Sequence, residues 1–419
     1  MTGDDSARRV PNGFPVQREE KRSAVRAAGY SRETILLSCV GLLLLLLALT
    51  AFISRMYHKN IHVLADQWFA RGEAEFRAGN PQEAAKDYRN ALVYSEDNAV
   101  FQFHLAQALT AAHEDDEAQS YLLNLLIESP GSGEINLELA RIAARSKSKQ
   151  SMQEALRYYY GAIYGVWDGD PLPKRWDARR ELCEYLLAHG TITRAQPEAI
   201  ALAQDVPPGD LVRQKEAAAL LMRASLWDRA LTEYRVILGS HKRDPDVLAG
   251  AGISAFQLGQ YARAVQYLNE LPRSERAEPQ VLTSLGLARE VEATSPFLSG
   301  LSSRERARRA AAALAHAKVL AQNCSQRSAS AANSKAPSAP ATATPATANS
   351  PLQKLQNELA QNSRIWTELN FIRNPGQIDA AMKWVFDVEN AAAQSCGQSQ
   401  NLADRAFLLI AKSRTSPDA

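Results

Sequence analysis

The chain has 419 residues, 46% apolar and 22% charged, with 21 Gly and 19 Pro. That is globular composition, with length for two or three domains or one extended repeat architecture. A net charge of +2 excludes a protein built mainly to neutralise nucleic-acid phosphates. The four cysteines (Cys39, Cys183, Cys324, Cys396) are too few and too scattered for a disulfide scaffold or a CxxC-type zinc site, and 7% aromatics with abundant alanine favour small-residue helix packing over a β-sandwich.

Residues 1–33 are rich in charge and poor in apolar side chains, and are expected to form a disordered arm. Ile35 to Ile53 is an uncharged run with six consecutive leucines, Leu42 to Leu47. As a helix it reaches about 28 Å, close to the hydrocarbon thickness of a bilayer, and it has no polar face. A transmembrane helix over 34–54 is therefore expected, as an uncleaved signal anchor. A cleaved signal peptide is the alternative, with a shorter apolar region and a better cleavage site than Leu49-Thr50-Ala51. Arg18, Lys21, Arg22, Arg26 and Arg32 precede the run, against Arg55, Lys59 and Arg71 after it. This bias predicts a cytoplasmic arm and everything beyond Arg55 on the far side, with the reverse topology as alternative.

From 55 to 323 the chain repeats itself. Segments begin near Ala65, Ala99, Gly133, Trp176, Leu211, Pro245 and Pro279, spaced 34, 34, 43, 35, 34 and 34 residues apart. Each reads as a helical hairpin, with small and apolar residues at 3.6-residue spacing. The first carries Trp68, Gly72, Gly79, Ala84, Tyr88 and Ala91; the second Leu105, Ala106, Leu109, Ala118, Leu122 and Pro130; the sixth Leu248, Gly252, Gly259, Ala264 and Leu268. In the third, Ala155, Tyr159 and Ala162 follow about three inserted residues around Lys147 to Gln150, and the seventh takes an insertion from Thr294 to Ser303. The eighth position of each unit, where two helices approach closely, is small: Gly72, Ala106, Ala140, Ala218, Gly252 and Gly286. One hairpin cannot bury its own apolar face, so stability must come from stacked neighbours.

These positions resemble the tetratricopeptide repeat, with Arg71 and Glu75 standing where Leu and Tyr are usual. The resemblance implies an all-α fold: a right-handed superhelical solenoid of about seven units, with a concave face lined by first helices, beside the one N-terminal transmembrane helix. It also implies protein partners, a peptide or helix in the groove. By that geometry Phe69, Glu73, Phe76, Arg77, Phe103, Gln107 and Thr110 face the groove, although some of the phenylalanines can instead pack between repeats. The Lys and Asn that clamp a partner's terminal carboxylate in one subgroup are replaced here by Phe69 and Glu73, which disfavours that role.

Residues 324–350, rich in Ser, Ala, Pro and Thr, are expected to form a flexible linker. Helices resume over 351–413: Leu352 to Ile372, a turn at Asn374-Pro375-Gly376, Gln377 to Ala393, then a capping helix from Leu402 with Ala403, Phe407 and Leu408 on one face. Cys324 and Cys396 each follow a helix in similar contexts, and export of this region would let them form a disulfide closing the loop that contains the linker.

Motifs for chemistry are weak. His113-Glu114-Asp115-Asp116-Glu117 lacks the second His of an HExxH zinc helix and reads as a solvated acidic turn. His58 and His62 share a helical face without an evident third ligand, and Gly131-Ser132-Gly133 lacks the Lys of a phosphate loop. Arg304, Arg306, Arg308 and Arg309 read as a solvated face without the interleaved aromatics that nucleic acid needs. Cys39 and Cys183 read as apolar fillers. The expectation is a scaffold or adaptor and no enzyme, with no cofactor, metal or small-molecule substrate, no nucleic acid, and contact with lipid through 35–53. Its expected place is a bacterial inner membrane with the array periplasmic, recruiting or assembling envelope proteins. An accessory subunit of a polysaccharide-export or secretion system, or a cytoplasm-facing adaptor, is the alternative.

Overall fold

The computed structural model describes residues 32–146, 148–334 and 351–415. The first 31 residues of the expected arm and positions 335–350 of the expected linker lie outside the described residues. Among the described residues there is no β-strand, only an isolated parallel bridge between Ser132 and Val166. The described residues are otherwise helical, and the chain divides into two compact units, Met1–Ala118 and Gln119–Ala419.

In the first unit, helix α1 (Arg32–Arg77) is continuous. The apolar run and the first helix of the first repeat are thus one helix, because no proline interrupts the chain between Arg32 and Asn80. It ends where Gly79 takes φ +82°, a left-handed conformation that costs glycine nothing, and Asn80 N–H donates back to the Glu75 carbonyl at 3.0 Å. Pro81 then opens α2 (Pro81–Tyr94), and the Asn98 side chain accepts from Val100 and Phe101 N–H to cap α3 (Ala99–Ala111). Helix α4 spans Asp115–Glu128, with Asp115, Asp116 and Glu117 in its first turn, where the helix dipole favours negative charge. The core is small: Ala84, Ala91, Leu105 and Ala106 are fully buried, with Tyr88 between them. Arg71 replaces the usual leucine and is compensated, its Nε lying 3.1 Å from Oδ2 of the buried Asp87.

The second unit continues with α5 (Gly133–Arg145), α6 (Lys149–Tyr164), α7 (Pro171–Ala188), α8 (Ile192–Gln204), α9 (Leu211–Arg223), α10 (Trp227–Ser240), α11 (Pro245–Gln257), α12 (Tyr261–Asn269), the short α13 (Arg273–Arg276) and α14 (Pro279–Thr294). From α5 to α12 each helix packs on the next, as the hairpin pattern requires, and α12 packs on α14. Charged pairs one repeat apart tie the first helices together. Arg141 makes a two-pronged contact with Glu181 at 2.7 and 3.0 Å, and Lys215 reaches both Asp244 and Asp246. Of the residues around the insertion, Lys149 and Gln150 form the front of α6, and Ser148 caps that helix by accepting from Ser151 N–H. The rest of the longer spacing is the loop 165–170 and a start of α7 five residues ahead of Trp176.

After α14 come α15 (Ser303–Ser334), α16 (Pro351–Asn362), α17 (Glu368–Arg373), α18 (Gly376–Cys396) and α19 (Leu402–Thr415). Two differences from the sequence reading stand out. Helix α15 runs eleven residues into the segment expected to be linker, carried by alanines and by the burial of Cys324 at its edge. The helix expected over Leu352 to Ile372 is two, because Thr367 caps α17 by accepting from Asn370 N–H. The C-terminal helices fold back onto the array: α19 packs on α14, and α18 on α15. Ala406, Phe407 and Ile410 form the buried face of α19, close to the face expected to cap the stack.

Candidate functional site

The expected groove residues all fall in the first unit, and the structure sorts them. Phe69 turns inward. Its ring stacks on buried Phe101 at 4.6 Å between centroids, tilts against Tyr88 at 5.5 Å, and meets the edge of His104 at 5.0 Å. Glu73, one turn further along α1, is committed too: Tyr88 OH donates to its Oε1 at 2.6 Å and His104 Nδ1 lies 2.7 Å from the same oxygen. Burial first, and then this hydrogen bond, raise the Tyr88 hydroxyl far above its ordinary pKa, so Tyr88 is a fixed donor. Thr110 is only 3% exposed and donates to the Ala106 carbonyl at 2.8 Å; it is a packing residue and offers nothing to a surface. Small size and an i−4 acceptor explain why a polar residue fits there.

Phe76, Arg77, Phe103 and Gln107 remain half-buried or exposed. Phe103 also meets His104 edge-to-face, at 6.0 Å, so Phe69, His104 and Phe103 form a connected aromatic group spanning α1 and α3. Glu73 locks the imidazole in the middle of that group. The result is an aromatic surface with a rigid underside, which suits an apolar anchor from a partner. His104 and Phe101 were not singled out in the sequence. The signal was there in Phe101-Gln102-Phe103-His104, but only the packing tells which side of α3 each ring takes.

The remaining motifs are structural. His113 sits in the turn before α4 with φ +63°, and Arg89 of α2 reaches Glu117 at 2.7 Å and Glu114 at 3.2 Å, so the acidic turn is partly neutralised from within the unit. The His58 side chain lies outside the described residues, and His62 is exposed. Of the basic run, Arg309 is no solvated residue: its Nη1 donates to the Glu292 and Ser295 carbonyls at 2.8 and 3.0 Å, pinning α15 to the end of α14. Arg308 and Arg309 both pair with Glu305. Cys183 is fully buried, and desolvation pushes its thiol up to about 12. Cys324 and Cys396 are joined as a disulfide, with Cα atoms 6.0 Å apart and a sequence separation of 72.

Residues 65–98, the α1–α2 hairpin with its closing turn, match the tetratricopeptide repeat family. Among solved structures, PilF of Pseudomonas aeruginosa aligns at 16% identity over 53% of this chain and 97% of that one, with a TM-score of 0.39. PilW, described as a widely conserved type IV pilus biogenesis factor, aligns at 18% identity over 53% and 98%, also at 0.39. A tetratricopeptide repeat protein from Parabacteroides merdae aligns at 14% identity over 59% and 90%, at 0.37. The comparison with curated proteins found no match. The family match therefore places one tetratricopeptide repeat, at residues 65–98.

Proposed function

We propose that this protein is a single-pass, membrane-anchored scaffold whose repeats form a right-handed superhelical solenoid that recruits or assembles cell-envelope proteins. The arm lies in the cytoplasm of a bacterial cell, residues 35–53 cross the inner membrane, and the array is periplasmic. Recognition runs through Phe103, Phe76, Arg77 and Gln107, seated on the Phe69–His104–Glu73 underside.

One observation carries the anchoring. Leu42 to Leu47 are each between 50% and 63% exposed, on a helix that then continues as the first repeat helix. Apolar surface of this extent in water is strongly unfavourable, at roughly 25 cal/mol per Å², and a helix apolar all round belongs in lipid or a buried core. Because α1 is unbroken, the repeat is held rigidly at the membrane surface. The Cys324–Cys396 disulfide supports an oxidising compartment, the periplasm in place of the cytosol.

Reporter fusions at the C-terminus test this. Alkaline phosphatase fused after Ala419 should be active and a fluorescent protein that folds only in the cytosol should be dark. The opposite pair of signals would place the array in the cytoplasm and leave a membrane-docking adaptor.

A further inference from the structure

Three helices of the second unit bring together side chains that are far apart in sequence. His316 lies on α15, Glu389 on α18 and Asp404 on α19. His316 Nε2 is hydrogen-bonded to Asp404 Oδ1 and lies 3.9 Å from Glu389 Oε1, and one ligating atom from each residue falls within 4.8 Å of the others. Glu389 is 2% exposed and Asp404 4% exposed, whereas His316 keeps about a third of its side chain open. The Glu389 Oε1 atom, aimed at this cluster, has no hydrogen-bond partner.

Two buried carboxylates side by side repel, and a buried carboxylate oxygen without a donor loses its hydration with nothing in return. Native interiors rarely tolerate such an atom unless a proton, an ion or a reaction accounts for it. We propose that His316, Glu389 and Asp404 form a binding site for one divalent cation of the zinc class, bound by one imidazole nitrogen and two carboxylate oxygens. A dication balances the two carboxylates and gives Glu389 Oε1 its missing partner. The donor set of one nitrogen and two oxygens is of the kind zinc accepts with three protein ligands, leaving a fourth position for water.

The surroundings fit. Bonds of 2.0–2.1 Å to a tetrahedral ion separate its ligands by about 3.3 Å. The His316–Asp404 contact is shorter than that and the His316–Glu389 gap longer, so rotamer adjustments of about 1 Å seat the ion without moving a helix. Glu389 and Asp404 also line a cavity of about 670 Å³, shared with Gln257, Gln400, Arg405 and Lys412. The fourth position opens toward that cavity, where the two cations favour water or a small anion over a second metal ion. The Cys324–Cys396 disulfide joins α15 to α18 about two turns beyond His316 and Glu389, which holds two of the ligand helices at fixed separation.

The test uses the full chain in detergent, stripped with a chelator and titrated with zinc chloride by calorimetry, with metal analysis after dialysis. The wild type should retain one zinc per chain and unfold at a higher temperature with zinc than without. E389Q, which keeps the shape and removes the charge, should lose affinity by at least the tenfold that mutating even an outer-shell partner of a metal costs, while keeping wild-type helicity by circular dichroism. D404N provides the same reading should E389Q fold poorly. Failure of the wild type to retain zinc overturns the proposal, as does zinc retention by both variants at wild-type affinity. Reduction of the disulfide should weaken binding and leave the stoichiometry of the oxidised chain unaltered.

Discussion

A Cβ built on Gly72 would stand 2.7 Å from the Tyr88 ring, a rigid group held in place by Glu73. Gly286 occupies the same repeat position, yet its nearest neighbour is the end of the Leu402 side chain at 3.9 Å. The two therefore respond differently to the same change. Gly72→Ala is expected to destabilise by about 1–3 kcal/mol through overpacking. Gly286→Ala is expected to be neutral or to stabilise by about 0.5–1 kcal/mol, because alanine is the better helix former. Urea unfolding followed by circular dichroism checks both; equal effects would mean that the repeat position alone, and not its neighbour, sets the tolerance. This marks what was readable from residues. The small-residue register was plain at Gly72, Ala106 and Gly252, but which of these positions is tight depends on the side chain facing it. For Gly286 that side chain arrives from α19, more than a hundred residues later. The same limit applies at the aromatic surface, where Phe69 and Phe103 look alike in sequence and only one stacks on Phe101.

Helix boundaries were more legible than loops. Ala99, Gly133, Leu211, Pro245 and Pro279, taken as starts of repeats, are each the first residue of a helix, since caps and prolines at these points carry a local signal. Ala65 is not, since it lies inside the continuous α1, and neither is Trp176, because the loop 165–170 and the extra turns of α7 belong to tertiary packing: Trp167 Nε1 reaches the Ala162 carbonyl at 2.8 Å and Trp176 Nε1 the Leu202 carbonyl at 3.1 Å. The α15–α18 pair is the element whose stability depends most on chemistry. With a sequence separation of 72 between Cys324 and Cys396, the chain-entropy account assigns the bond about 4 kcal/mol, of which strain and denatured-state structure usually remove part. Non-reducing peptide mapping of protein taken from its native compartment should find the two cysteines linked, and the double change Cys324→Ser, Cys396→Ser should lower the unfolding temperature of the C-terminal helices. Two free thiols in the mapped protein would contradict the bond.

For the molecule as a whole, composition and periodicity carried the fold class, since hairpins that share an interior must keep a constant length. They carried far less of the sites. The His316–Glu389–Asp404 cluster draws on three segments separated by the Ser/Ala/Pro/Thr-rich stretch, and no local spacing announces it. The proposed partner surface depends on which face each aromatic ring presents. The central claim is that this surface binds a protein, and a photocrosslinker tests it directly. Benzoylphenylalanine placed at position 103 in intact cells should give discrete protein adducts on irradiation, while the same probe at the exposed Lys86 of α2 should give none. Absence of adducts at 103, or equal labelling from both positions, would contradict it.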